Sequence, residues 1–154
     1  MGTRSTVKGY WRQGGAAGTN LKTPASVPSI LTIQGLDATV DAGTGTGRFL
    51  PKGCIPLEIW VVETVTASGG TTPILDIGLE LGTPNDNGLA DGLAYDASTH
   101  TVFLGALAGA LLGTVIAETA EVTYGDDGVG TNNTAGEIDI YIMWVMADDG
   151  KLND

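Results

Sequence analysis

Residues 55–65 have the sequence IPLEIWVVETV, and the alternation within this stretch decides the fold class. Every second position from Ile55 is apolar except Glu63, whereas the positions between them mix polar and apolar side chains. A period of two is typical of a β-strand, and the mixed second face indicates that this face is partly covered. The residues predicted to face the core are Ile55, Leu57, Ile59, Val61 and Val65.

The same alternation marks the next segment, where residues 73–81 have the sequence PILDIGLEL. Ser68-Gly69-Gly70 lies between the two segments and supplies residues that favour a turn. We therefore expect these two strands to pair as a hairpin.

Other segments predict a succession of short strands and loops. The further strands are predicted at residues 30–33, 116–124 and 137–146. Loops are predicted at residues 43–47 and 85–91, and one helical turn at residues 89–95. Several short strands separated by turns are typical of a β-sandwich or a jelly roll. The sequence thus predicts an all-β protein with a single jelly-roll-like β-sandwich domain.

The chain divides into three predicted parts. Residues 1–28 form an extended, irregular N-terminal arm, because Pro24 and Pro28 oppose strand pairing and residues 14–18 are rich in glycine. The β-sandwich domain follows at residues 29–150, and residues 151–154 form an acidic C-terminal tail.

Charge separates the arm from the domain. Through Leu36 there are four cations and no acidic residue, whereas from Asp37 onward all 18 carboxylates accompany only three cations. The acidic domain is expected to repel nucleic acid, so no nucleic-acid partner is predicted. The arm is expected either to dock on a partner or to remain a solvated tail.

Aromatic residues favour the docking arm. Tyr10 and Trp11 stand between Lys8 and Arg12, and aromatic and arginine side chains dominate interface hot spots. These rings contact either a partner or the chain's own domain. The residues predicted to bind a partner or a neighbouring subunit are Arg4, Lys8, Tyr10, Trp11, Arg12 and Lys22.

The last strand carries a second predicted contact. Its outer face begins with Glu137 and Asp139 and ends with apolar side chains. Such a face suits an edge strand that another subunit covers. The residues predicted at that subunit interface are Tyr141, Met143 and Val145.

Residues that carry catalysis are scarce. His100 is the only histidine, and neither Cys54 nor any serine lies in the sequence context of a nucleophile. Aspartates in the predicted loops cap turns more often than they bind calcium. We predict no enzymatic activity, no cofactor and no metal.

Membrane association and disulfides are not expected. The first residues lack the apolar region of a signal peptide, and the longest apolar run, residues 102–117, contains three glycines. A membrane-spanning helix needs about 20 apolar residues. The solitary Cys54 leaves no partner for an internal disulfide.

Three motifs carry a resemblance to a known family. Residues 49–57 (FLPKGCIPL) resemble the LPxGxVxL strand entry of small tailed-phage virion proteins. Residues 69–78 (GGTTPILDIG) resemble their GGTTPTLDVG hairpin, and residues 134–141 (TAGEIDIY) are similar to their final TAGxxDVYV strand. These proteins are capsid decoration, or cement, proteins and related virion β-sandwich proteins, and the resemblance covers roughly residues 48–147.

The resemblance implies a structural function. It implies a virion protein on the outer capsid surface, made in the host bacterial cytoplasm, that cements neighbouring subunits of the major capsid protein. It also implies self-association, with a homotrimer favoured over a homodimer, and brings no catalytic residue. The alternative is a receptor- or glycan-binding head domain of a fibre or spike, with a cleft lined by Tyr95, Asp91 and Asp126.

Overall fold

Residues 28–95, 102–104, 109–127 and 130–147 are described by the computed structural model. These ranges contain eight strands and no helix. The strands are β1 (Ser29–Asp37), β2 (Thr44–Leu50), β3 (Cys54–Ser68), β4 (Ile74–Glu80), β5 (Asn85–Ala94), β6 (Val102–Leu104), β7 (Ala120–Asp126) and β8 (Ala135–Met146).

The strands form two four-stranded sheets in which every pairing is antiparallel. The first sheet has the order β1-β8-β3-β6 and the second the order β2-β7-β4-β5. From β1 to β4 the chain changes sheet at every step, and it does so again from β5 to β8. Eight strands wound in this way form a jelly roll. The predicted all-β sandwich is confirmed.

The core lies between the two sheets. On the first sheet, β8 contributes Ile140 and Ile142, which face the same side as Val61 and Ile59 of β3. Apolar side chains that alternate along both inner faces interdigitate and form the layer between packed sheets. The inward-facing set of the second sheet includes Leu50, Leu75, Ile77, Leu79, Val122 and Tyr124.

The predicted hairpin between residues 55–65 and 73–81 is wrong. β3 pairs with β6 and β8 in the first sheet, whereas β4 pairs with β5 and β7 in the second. Both segments are strands, but the turn between them crosses from one sheet to the other. Alternation reports which face of a strand is buried and not which strand lies beside it.

Three irregularities interrupt the pairing of β3 with β8 and change which residues of β3 face the core. The register shifts between Pro56 and Glu58, between Glu63 and Val65, and between Val65 and Ser68. An extra residue in one strand disrupts the ladder and reverses the faces beyond it. As a result Leu57 and Val65, which were predicted to be buried, are 44% and 51% exposed.

The remaining residues predicted to face the core from residues 55–65 differ in their burial. Ile59 and Val61 face the core as predicted, whereas Ile55 is half-buried and pairs with Val145. Glu63 also points inward and is buried, and its Oε1 accepts a hydrogen bond from the Ala67 amide at 2.6 Å. The carboxylate therefore satisfies a backbone donor at the third irregularity, between Val65 and Ser68.

Two segments predicted as loops are strands. Most of residues 43–47 belongs to β2, and residues 85–94 form β5, so the helical turn predicted at residues 89–95 is also wrong. At Gly45 in β2 a Cβ would lie 2.5 Å from the Glu121 Oε1, so the glycine leaves room for that carboxylate in its present position. A glycine inside a strand often marks such a close approach, which sequence alone does not separate from a loop.

The last strand is not at an edge. β8 lies between β1 and β3 and pairs with both along most of its length. The edge position predicted for it is therefore wrong, because its two neighbours are separated from it by more than 60 residues of sequence. The predicted arm (apart from Pro28), His100 and the acidic tail lie outside the described residues.

Candidate interaction surfaces

One end of the sandwich exposes large apolar side chains, and we call it the apolar end. Its exposed members are Phe49, Leu57, Val115 and Met146. Backbone hydrogen bonds of Gly53 hold the end together. The Gly53 amide donates to the Ile116 carbonyl at 2.8 Å, and its own carbonyl accepts the Ala147 amide at 2.8 Å. Three segments distant in sequence therefore meet here.

The exposure of Leu57 follows from the first irregularity in β3. Pro56 and Glu58 pair with consecutive residues of β8, so Leu57 has no partner in the ladder and projects from it. The Pro56 carbonyl accepts the Gly113 amide at 2.8 Å, which places the segment around Val115 across the start of β3.

Cations accompany this apolar surface. Among the described residues the only lysine and arginine side chains are those of Arg48 and Lys52, and both are exposed on either side of Phe49. The remaining lysines and arginines of the sequence lie outside the described ranges. Apolar surface rimmed by polar side chains is typical of protein–protein contact sites, and arginine is enriched there.

The outer face of the first sheet carries a second apolar surface, which we call the outer stripe. The register places Met143 beside Ile30, and Tyr141 beside Trp60, on the same side of the sheet. The predicted interface residues Tyr141, Met143 and Val145 are all half-buried on this face. Ile30 is 58% exposed, so the stripe extends onto β1.

Sequence reasoning missed part of the outer stripe. The sequence places Ile30 in the short strand at residues 30–33 and Trp60 on the mixed face of residues 55–65, and neither pattern indicates a neighbouring strand. Only the register of β8 against both β1 and β3 brings these side chains together with Tyr141 and Met143.

The opposite end of the sandwich, which we call the acidic end, buries carboxylates. β7 runs from Ala120, beside Leu50, to Asp126, beside Leu75. The Asp126 Oδ1 accepts the Ile74 amide at 3.0 Å. The Asp76 Oδ1 accepts the Gly92 amide at 2.7 Å. These carboxylates satisfy backbone donors where strands begin and bend, which is a structural task.

Electrostatic environment distinguishes Asp76. Burial raises the pKa of its carboxyl, and the nearby charges of Asp127 and Asp91 raise it further, although the hydrogen bond from Gly92 opposes them. Desolvation and like charges both disfavour the ionised form.

Tyr95 and Asp126 do not line an open cleft. Tyr95 is 2% exposed and Asp126 is 5% exposed, whereas Asp91 is exposed. The Tyr95 hydroxyl donates to the Ala38 carbonyl at 3.1 Å, and burial raises the pKa of this phenol. The cleft predicted for a glycan-binding head is therefore wrong for these residues, because two of them belong to the interior.

The surroundings of Cys54 make its thiol unreactive. The side chain is buried, and burial raises the pKa of the thiol to about 11. A thiol with so high a pKa is protonated at neutral pH and is a poor nucleophile.

The described ranges contain neither a candidate metal site nor a membrane-spanning helix. In that part of the chain no three His, Cys, Asp or Glu side chains are grouped so as to hold a metal ion. No helix there is long and apolar enough to cross a membrane.

The contact residues predicted in the N-terminal arm lie outside the described residues. They are Arg4, Lys8, Tyr10, Trp11, Arg12 and Lys22. Their role in binding a capsid or a neighbouring subunit stays a prediction.

Comparison with solved structures finds similar chains in two phage capsids. A chain of the capsid of Ralstonia phage GP4 superposes with a TM-score of 0.56 and 17% sequence identity, over 85% of this chain and 92% of that chain. A chain of the cyanophage Pam1 capsid asymmetric unit gives a TM-score of 0.56 and 15% identity, over 87% and 94% of the two chains. The shared feature is the fold, along nearly the whole length of each chain.

Comparison by sequence gave no relative. No family model matches the chain, and no curated protein matches it.

Proposed function

We propose that this protein is a non-enzymatic structural component of a bacteriophage virion. It binds the outer surface of the capsid and cements neighbouring subunits of the major capsid protein. The observation that supports this proposal most strongly is the fold shared with chains of two phage capsids, because the likeness extends over more than nine-tenths of each of those chains.

The apolar end is the proposed contact with the capsid. Its exposed apolar side chains are flanked by Arg48 and Lys52, so it differs in chemistry from the acidic remainder of the described surface. Ser29 pairs with Trp144, two residues before Met146, so the arm joins the domain near this end. In this arrangement the arm contacts the capsid or a neighbouring subunit, and the acidic end points outward.

Self-association is proposed to use the outer stripe. Tyr141, Met143 and Val145, together with Ile30 and Trp60, give an apolar surface of the kind that subunit interfaces cover. A homotrimer joined through this face would present several contact ends to the shell. Several weak contacts on one oligomer give firm attachment, because the second and third contacts are effectively intramolecular.

A binding experiment with full-length protein tests the capsid contact. The double substitution Phe49→Thr and Leu57→Thr removes two exposed apolar side chains and introduces β-branched threonines, which strands tolerate. Two interface anchors contribute about 1.5 kcal/mol each, so we expect about 100-fold weaker binding to capsids stripped of this protein. Cosedimentation with increasing protein concentration measures the affinity.

The control for this experiment is Val65→Thr, which changes an equally exposed apolar residue near the far end of β3. The control is expected to bind as the unmodified protein does. If the double variant and the control bind capsids equally well, the apolar end is not the contact.

A further inference from the structure

An apolar groove lies at the apolar end, between the segment after β4 and the segment before β7. Its volume is about 400 Å³. Leu81, Leu111, Val115 and Ile116 line it together with Glu118, whose Oε1 accepts the Gly82 amide at 2.8 Å. Val115 is 51% exposed, so the wall of the groove is open to an occupant.

We propose that this groove binds the Tyr10-Trp11 segment of the N-terminal arm, supplied by the same chain or by a second copy. The groove offers apolar walls for the two rings and a carboxylate at its side for the cations that flank them. This proposal concerns contact between parts of this protein and holds whether or not the protein is a virion component.

Charge complementarity is the first support. Tyr10-Trp11 lies between Lys8 and Arg12, and the arm contains no acidic residue. The groove contains Glu118 and no cation. Amphipathic aromatic rings beside cations are the combination that anchors most interfaces, and an apolar groove with an acidic side fits that combination.

A pair of like charges beside the groove is the second support. Glu80, which immediately precedes Leu81, lies directly opposite Glu121 in the register of β4 with β7. Like charges directly opposite on neighbouring strands are destabilising. Glu121 also lies opposite Phe49, so Arg48 is close to this pair, and a cation of the arm would add to the positive charge that offsets the repulsion.

Chain length and attachment point are the third support. Ser29 and Pro56 both pair with Trp144, and Pro56 accepts the Gly113 amide, so the root of the arm and one wall of the groove belong to the same end. The 17 residues between Trp11 and Ser29 span up to about 60 Å when extended. Trp11 can therefore reach the groove of its own domain or of an adjacent copy.

Disulfide trapping in the full-length chain tests the proposal. Gln13→Cys places a thiol beside the aromatic pair, and Thr83→Cys places one on the lining of the groove. The matched control combines Gln13→Cys with Thr66→Cys, which is an exposed threonine near the far end of β3. Native Cys54 is buried and remains in both variants.

The expected result is a disulfide yield about tenfold higher at Thr83 than at Thr66 under mild oxidation, because docking raises the local thiol concentration. Adding Trp11→Ala is expected to reduce the Thr83 yield to the level of the control. Non-reducing electrophoresis then separates a link within one chain from a link between two copies, and either form supports the proposal.

Equal yields at the two positions would overturn the proposal, as would a Thr83 yield that does not depend on Trp11. A second measurement avoids reliance on cysteine variants. Val115→Gln is expected to shift the tryptophan emission of the full-length protein to longer wavelength, whereas Val65→Gln is not. If Val115→Gln leaves the emission unchanged and weakens only the binding of added capsids, the groove belongs to the capsid and the proposal fails.

Discussion

The two ends of the sandwich use their side chains in opposite ways. At the apolar end, Phe49 and Leu57 project from strands into solvent and contribute little to the core. At the acidic end, Asp76 and Asp126 turn inward and accept hydrogen bonds from the backbone of other strands. The carboxylates of the acidic end therefore stabilise the fold, whereas the exposed side chains of the apolar end are available for an external contact.

A pair of glycines, one at each end, gives the sharpest test of this difference. Gly125 has a φ of +145°, and a Cβ there would overlap the Asp41 carbonyl oxygen. Gly113 has a φ of +78°, and no atom lies within 4 Å of a Cβ built there. Gly125→Ala is expected to reduce the free energy of unfolding by about 3 kcal/mol or more, and Gly113→Ala by about 1 kcal/mol. Urea denaturation of the two variants measures both losses, and equal losses would contradict the comparison.

A smaller effect is expected from removing one buried hydroxyl. Tyr95→Phe deletes the hydrogen bond to the Ala38 carbonyl and leaves that buried acceptor without its partner. The expected loss in unfolding free energy is about 1–2 kcal/mol. Phe49→Thr, at the apolar end, is expected to change it by less than about 0.5 kcal/mol, as exposed substitutions usually do. Thermal and urea unfolding compare the two, and a greater loss for Phe49→Thr would reverse the assignment of the two ends.

The smallest effect concerns pH. Because burial raises the pKa of Asp76 in the folded state, the folded protein holds that proton more tightly than the unfolded chain does. The resulting stability is present below the ordinary carboxyl pKa and is lost as the pH rises through the raised pKa. Asp76→Asn keeps an acceptor for Gly92 and cannot ionise, so its unfolding free energy is expected to fall less over that rise.

Urea denaturation at a series of pH values from about 3 to about 7 measures this difference, since that interval brackets carboxyl titration. Glu58→Gln, an exposed carboxylate on the first sheet, is the control. Parallel pH profiles for Asp76→Asn and the unmodified protein would show that Asp76 has no such role.

The sequence predicts the long strands well because their alternation survives local irregularities. β4 and β8 lie where the pattern places them, and Ile59 and Val61 face the core as expected. The faces of β3 change at its irregularities, and nothing in residues 55–65 marks the extra residues that expose Leu57 and Val65.

Local sequence patterns do not determine which strands pair with one another. The position of β8 between β1 and β3 depends on contacts between segments more than 60 residues apart, and the burial of Asp126 depends on the Ile74 amide. The outer stripe also depends on strand pairing. The pattern of a single strand predicts Tyr141, Met143 and Val145. The register of β8 with β1 and β3 is needed to add Ile30 and Trp60 to the same surface.

The order of strands in the first sheet has a consequence for synthesis of the protein. β8 is the last of the described strands and is the neighbour that β1 and β3 share. While a ribosome is still making residues 130–147, β1 and β3 have left it without the strand that pairs with both. Contacts between distant segments are slow to form, and unpaired strand edges promote aggregation. The first sheet therefore closes only after β8 has been synthesised, and a chain truncated before β8 would lack its centre.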